Sequence, residues 1–344
     1  MTINECSGGM NFMKRILTIF LCLFIITGAL AGCGTNSSNS NDDKLDIVTT
    51  IFPEFDWVKQ IVGDQPKTAT EITMLLDNGV DLHSYQPSAD DIIKISTCDL
   101  FIYVGGESDS WVDDALQEAT NKDMVVINLL DVLGDAVKEE EAVEGMESEH
   151  EEDHEHEEEG EHGEEPEYDE HVWLSLRNAE ILCTEIADQL CNIDPESKDT
   201  YTANLNAYLE ELSALDLQYQ SVVDSAANKT LLFGDRFPFR YLVDDYGIDY
   251  YAAFAGCSAE TEASFETIVF LANKVDELQL KTVLTIDSPQ HNIADTIVEN
   301  TTAKDAQVLS LNSMQSATCE DSNNGITYLS IMESNLEVLT IALQ

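Results

Sequence analysis

From Glu196 to Ala226 the chain runs without a glycine or proline, and Asp194-Pro195 just before it supplies a helix start. Tyr201, Leu205, Tyr208, Leu209, Leu212, Leu215 and Tyr219 recur at helical spacing within this stretch. The pattern predicts one helix of about eight turns, roughly 45 Å at 1.5 Å per residue, long enough to run down two domains. Such a helix restricts hinge motion between whatever it joins. A coiled coil would need several sustained heptads, for which the repeat is too short.

On either side, short β-branched runs alternate with amphipathic helical stretches, the pattern of parallel sheets with helices on their faces. Before the long helix the strand candidates are 45–50, 70–76, 100–104 and 125–128, with helices at 55–63, 88–97 and 111–119. After it come strands 230–233, 249–253, 282–286 and 308–311, with helices at 239–246, 264–278, 293–300 and 327–343. The expectation is an α/β chain of two Rossmann-like lobes. The boundaries are 45–193 for the first lobe, 194–226 for the linking helix and 227–344 for the second lobe.

Lys14 and Arg15 precede an apolar stretch from Ile16 to Leu30 that closes on Leu30-Ala31-Gly32-Cys33. This reads as a secretory signal over 1–33, and the stretch is shorter than the ~20 residues a spanning helix needs. Its last four residues resemble a bacterial lipobox. That resemblance implies cleavage before Cys33, lipid on Cys33, a polar tether over 34–44 and a location on the extracytoplasmic face of the cell membrane.

An acidic run from Lys138 to Glu170 holds His150, His154, His156 and His162 among 19 carboxylates. It is too polar to build a core and reads as a mobile loop. With only seven histidines in the chain, their concentration here points to loose collection of cations, since imidazole is the commonest metal ligand and the carboxylates raise local cation concentration. A merely solvated linker is the alternative. Without this run 48 acids still face 15 bases, so nucleic acid is excluded as a partner on charge.

Five cysteines follow the signal: Cys98, Cys183, Cys191, Cys257 and Cys319. Their odd number and the absence of a CxxC pair argue against a disulfide framework or a structural zinc knot. Cys183 and Cys191 stand ~12 Å apart along an expected helix, too far to bridge. Most of the five read as small buried apolar residues.

In open α/β sheets ligands bind beyond the carboxyl ends of the strands. Three positions stand out there. His83, in Asp81-Leu82-His83-Ser84-Tyr85-Gln86-Pro87-Ser88, lies between a strand end and a helix cap. His171 closes the acidic run and is followed by Val172-Trp173-Leu174, which would pack into the core and hold it. Asp287 ends a strand ahead of Ser288-Pro289-Gln290-His291, as a ligand or as a helix cap.

With these residues in place, the chain resembles the metal-binding solute-binding lipoproteins that deliver zinc or manganese to ABC importers. The resemblance covers nearly everything from Leu45 to Leu343. It rests on Ile51-Phe52-Pro53, Asp81 to Ser88, Tyr103-Val104-Gly105-Gly106 with Trp111, His171 to Leu174, Ile193-Asp194-Pro195, and Tyr241 with Tyr246-Gly247. It implies two lobes joined by a rigid helix, a single metal ion in the cleft between them, and an ABC transporter membrane permease as partner. His83 and His171 would be ligands from the first lobe and Asp287 one from the second. The acidic histidine-rich loop is typical of zinc members.

Where the family places a histidine or glutamate five residues before Tyr241, this chain has Arg236, which stays protonated and cannot coordinate a cation. Its neighbour Asp235 either replaces the missing ligand or pairs with Arg236. Two imidazoles with one or two carboxylates suit Zn2+, and the Irving–Williams order favours it over Mn2+, the second candidate. The expected protein is a monomeric, lipid-anchored zinc-binding component rather than an enzyme. A secreted zinc hydrolase would need a positioned base, and no HExxH motif is present. An adhesin or metal buffer leaves the placement of His83 and His171 without a purpose.

Overall fold

The computed structural model describes residues 44–64, 67–147, 167–258, 262–287 and 291–344. The expected signal with Cys33, the tether apart from Lys44, the four histidines of the acidic run, and Ser288 to Gln290 lie outside the described residues.

The first lobe carries a four-stranded sheet of β1 (Lys44–Thr49), β2 (Ala69–Met74), β3 (Leu100–Tyr103) and β4 (Val125–Asn128), in the order β2-β1-β3-β4. All its pairings are parallel. The second sheet repeats the arrangement with β5 (Thr230–Phe237), β6 (Asp249–Ala255), β7 (Thr282–Thr285) and β8 (Gln307–Ser310), ordered β6-β5-β7-β8 and again parallel. In both sheets the order reverses beside the first strand, so a crevice opens at the carboxyl ends of β1 and β3, and of β5 and β7. Between Phe233 and Arg236 the register of β5 against β6 shifts by one residue. A bulge of this kind re-aims the side chains that follow it.

The connecting helices of the first lobe are α1 (Phe52–Val62), α2 (Ala89–Thr97), α3 (Val112–Gln117), α4 (Leu129–Leu133) and α5 (Leu176–Ile193). The long helix, α6, spans Lys198–Ser225 and is about 42 Å long at 1.5 Å per residue. Its buried stripe is Tyr201, Leu205, Tyr208, Leu212, Leu215, Tyr219 and Val223. Polar side chains of the helix tie it to segments that precede and follow it in sequence. Asn204 donates to the Ile61 carbonyl at 2.9 Å, and Tyr219 donates to the Met332 carbonyl at 2.6 Å.

The second lobe adds α7 (Arg240–Tyr246), α8 (Phe265–Leu278), α9 (Asn292–Asn300), α10 (Cys319–Asn323) and α11 (Tyr328–Ala342). Although α11 ends the chain, it packs back on the first lobe. Tyr328 stacks edge-on to Trp57 at 5.2 Å, takes the Asp56 carboxylate on its N–H and donates its hydroxyl to the Trp173 carbonyl. Trp57, Trp173 and Tyr328 are fully buried, and burying a large apolar side chain is worth roughly 1.5–3 kcal/mol. The main hydrophobic core therefore runs through both lobes, and a smaller one lies between β6, β7, α8 and α9.

Part of the acidic run departs from the mobile loop expected of it. Its two flanks, 138–147 and 167–170, are built into the fold. Glu140 N–H bonds the Glu167 carbonyl, Asp169 N–H bonds the Lys138 carbonyl, and Glu147 N–H bonds Ala253 of β6. Tyr241 in α7 accepts from Lys138 N–H and donates to the Asp169 carbonyl. Composition hid this because the run's carboxylates and backbone serve as hydrogen-bond partners for the second lobe rather than as core. The five cysteines of the described residues are free, Cys98 and Cys183 buried and the other three half-buried.

Candidate metal centre

Each expected histidine is fixed by its own backbone neighbourhood. Asp81 accepts from His83 N–H at 3.1 Å, capping a single 3-10 turn over Leu82–Ser84 whose Leu82 is buried. His171 is fully buried, and the following Val172, Trp173 and Leu174 are equally so. The Trp173 indole donates to the Ser313 carbonyl at 2.9 Å, which ties this turn to the second lobe.

Both imidazoles are oriented through Nδ1. Asp169 Oδ1 takes His171 N–H at 2.8 Å and lies 3.0 Å from His171 Nδ1. Ser108 Oγ lies 2.8 Å from His83 Nδ1, and Glu170 Oε2 lies 3.5 Å from it. For His171, a carboxylate on Nδ1 sets the tautomer that leaves a lone pair on Nε2, the usual arrangement behind a metal-bound histidine. Glu170 in turn accepts from Ser108 N–H at 2.8 Å. It approaches Gly106 so closely that a Cβ there would stand 2.4 Å from Glu170 Oε1, and Gly106 has φ +83°. A side chain at Gly106 would displace the support of His83.

The two Nε2 atoms face each other at 3.2 Å. Zinc–nitrogen bonds of about 2.0–2.1 Å at a tetrahedral angle place two imidazole nitrogens about 3.3 Å apart. The pair is thus spaced for one shared ion. Cys257, just beyond β6, completes a group with His83 and His171 in which the three potential ligand atoms lie within 4.8 Å of one another.

Asp235 and Asp287 are outside this group. Asp235 accepts from Arg236 N–H at 2.9 Å and Ile286 N–H at 3.3 Å. Asp287 accepts from Ser313 N–H and Oγ at 2.7 and 2.8 Å, and from Ser316 Oγ at 2.6 Å, so it clamps the loop after β8. His291 bonds Thr285 Oγ1 through Nδ1 at 2.9 Å. Arg236 reaches across to Asp81, Nη2 to Oδ2 at 2.7 Å, and donates from Nη1 to the Ser258 carbonyl.

Two residues at the site escaped the sequence reading. Gln315, on the loop that Asp287 clamps, places Nε2 at 3.1 Å from His171 Nε2 and 3.4 Å from His83 Nε2. No sequence signal marks it. Cys257 sits just past a strand end, so the strand-end rule that singled out Asp287 could have found it.

Burial, reinforced by the neighbouring imidazole, holds His83 down at about 4, so it is neutral at physiological pH. Burial alone would raise the Asp81 carboxyl, but the Arg236 guanidinium and His83 outweigh it and hold the carboxyl below its usual range. Burial raises Glu170, and burial together with the Glu140, Asp169 and Glu170 carboxylates raises the Cys257 thiol. A neutral His83 imidazole beside the Asp169 and Glu170 carboxyl groups makes a place that favours a cation.

A family model described as ZnuA, zinc-uptake complex component A periplasmic, matches residues 47–342. The chain belongs to this family. Within it, the Bacillus subtilis high-affinity zinc uptake system protein ZnuA is 32% identical over 324 residues, covering 92% of this chain and 95% of its own length. The zinc-binding lipoprotein AdcA of Streptococcus pneumoniae is also 32% identical, over 95% of this chain, but the match spans only 60% of AdcA. The Zn(II)-bound ZnuA-like domain of that AdcA superposes with a TM-score of 0.66 at 29% identity, covering 87% of this chain and 99% of the domain. A ZnuA-family chain is a solute-binding transport component, and the paired lobes with facing histidines are consistent with that role.

Proposed function

We propose that this chain is the extracytoplasmic zinc-capturing component of an ABC importer. Zn2+ is its cargo, taken up between the lobes on His83 and His171 and passed to a membrane permease. The observation that carries this reading is the 3.2 Å approach of two Nε2 atoms whose Nδ1 atoms are engaged by Asp169 and Ser108. Asp235 and Asp287 hold neighbouring loops in this arrangement, and either would have to release its backbone partners to reach the ion. The protein works as a monomer without enzymatic activity, anchored by lipid on Cys33.

Calorimetric titration of zinc and manganese into metal-free protein tests the reading. Tight one-to-one zinc binding that is lost in both His83→Ala and His171→Ala is expected. Preference for manganese, or zinc binding indifferent to both substitutions, would overturn it.

A further inference from the structure

The histidine pair comes wholly from the first lobe, and two of the second lobe's acids at the cleft, Asp235 and Asp287, are committed to backbone and hydroxyl partners. We infer that the second lobe supplies its ligand through the thiolate of Cys257, making a His83–His171–Cys257 zinc site. This inference rests on the zinc-capturing role proposed above and assigns the ligand that reading leaves open.

Three features bring the thiol to the imidazoles. β6 ends at Ala255, so Cys257 emerges beyond the carboxyl end of its strand, on the side of the sheet where ligands bind in such folds. Gly256 lies flat against His171: a Cβ there would stand 3.1 Å from His171 Cε1, 3.2 Å from Nδ1 and 2.9 Å from the Phe237 carbonyl. Only the bare backbone allows Cys257 this approach. The loop is then pinned on both sides, by Cys257 N–H to Glu140 Oε1 at 2.9 Å and by Arg236 Nη1 to the Ser258 carbonyl at 3.4 Å.

The donor set selects the metal. Two imidazoles and a thiolate are borderline-to-soft ligands that suit tetrahedral Zn2+, with Zn–S near 2.3 Å, whereas Mn2+ prefers oxygen. An ion bonded to both would hold sulfur and nitrogen about 3.6 Å apart, so Sγ, now within 4.8 Å, needs to move by no more than about an ångström. As the Zn–S bond forms the thiol gives its proton to solvent. The fourth position falls to water or to the Gln315 amide, which turns to present its oxygen.

Cobalt(II) in place of zinc reports thiolate directly, through near-ultraviolet sulfur-to-metal charge transfer, while its visible bands report tetrahedral binding. The full chain, kept reduced, should show both. Cys257→Ser should lose the charge-transfer band, keep visible bands, and bind zinc at least about 100-fold more weakly, beyond the 10–100-fold typical of a lost supporting partner. Its manganese affinity should change little. Visible bands that depend on His83 without charge transfer in the unsubstituted chain would overturn the thiolate and leave the histidine site standing. Charge transfer that persists in Cys257→Ser would overturn it too. Cobalt binding insensitive to His83→Ala and His171→Ala would instead remove the proposed function itself.

Discussion

Arg236 of the second lobe and Asp81 of the first form an ion pair, Nη2 to Oδ2 at 2.7 Å, at the rim of the histidine pair. The other oxygen of Asp81 caps the turn that carries His83, so one carboxylate both joins the lobes and orients an imidazole. The arginine thus stands where the family resemblance calls for a metal-binding side chain, and it joins the lobes by charge instead. It directly follows the bulge in β5, a feature that re-aims the side chains after it.

Arg236→Ala should therefore destabilise the protein by about 1–3 kcal/mol, since both side chains are roughly four-fifths buried and the change strands a carboxylate. Asp81→Ala should cost a similar amount, and the double substitution less than the sum of the two. Urea denaturation of the metal-free forms measures all three. Strict additivity would show that the pair contributes nothing of its own.

Asp169 tests the support of the proposed ligand His171 rather than the ligand itself. Its Oδ1 receives both the backbone N–H and Nδ1 of His171 while 2% exposed. Asp169→Asn keeps the shape and removes the charge that makes the imidazole a stronger donor, so zinc affinity should fall by about 10–100-fold with the fold intact. Competition against a chelator of known affinity reads the change, and circular dichroism checks the fold.

The sheets were legible because short β-branched runs bounded by turn residues have few alternative readings. All eight strands fall within a few residues of expectation, and the unbroken 196–226 stretch is the interlobe helix over 198–225. Helices of one turn, such as 129–133 and 319–323, carry too few residues to show a period. The local anchoring of His83 and His171 was readable from their flanking residues. The strand-end position of Cys257 was readable too, but not its approach to His171, nor that of Gln315, because both arise from the meeting of segments more than 85 residues apart in sequence. Nor can a sequence show whether a strand-end acid such as Asp287 faces an ion or a serine loop.

The acidic run should act as a separate reservoir. Residues 138–147 and 167–170 hold the flanks against the second lobe, so a deletion that respects them is 148–166, which removes His150, His154, His156 and His162. Zinc titration of the shortened chain should lose the weak additional sites and keep the tight one. Loss of the tight site would mean that a residue of this segment belongs to the metal centre.

A buried carboxyl beneath the His83 support should give the metal-free protein an unusual pH dependence. Asp109 is 3% exposed, and its Oδ2 accepts from Gly105 N–H at 3.0 Å while Oδ1 has no partner. Burial pushes its carboxyl up to about 7, with the Glu170 charge adding to the effect. Glu54, likewise buried and raised by burial and by the charge of Asp109, also leaves one oxygen without a partner. Because the folded state holds this proton more tightly than the unfolded chain does, Asp109 lowers stability as pH rises from about 4 to about 7, and the accumulated loss stays constant above that range. Asp109→Asn is neutral throughout and removes the penalty. At pH 8 it should be more stable than the unsubstituted protein by about 1–3 kcal/mol, a discounted share of 1.36 kcal/mol per pKa unit, and near pH 4 the difference should vanish. Denaturation in chelator across that range measures it, and a constant difference between the two proteins would show that Asp109 does not titrate there.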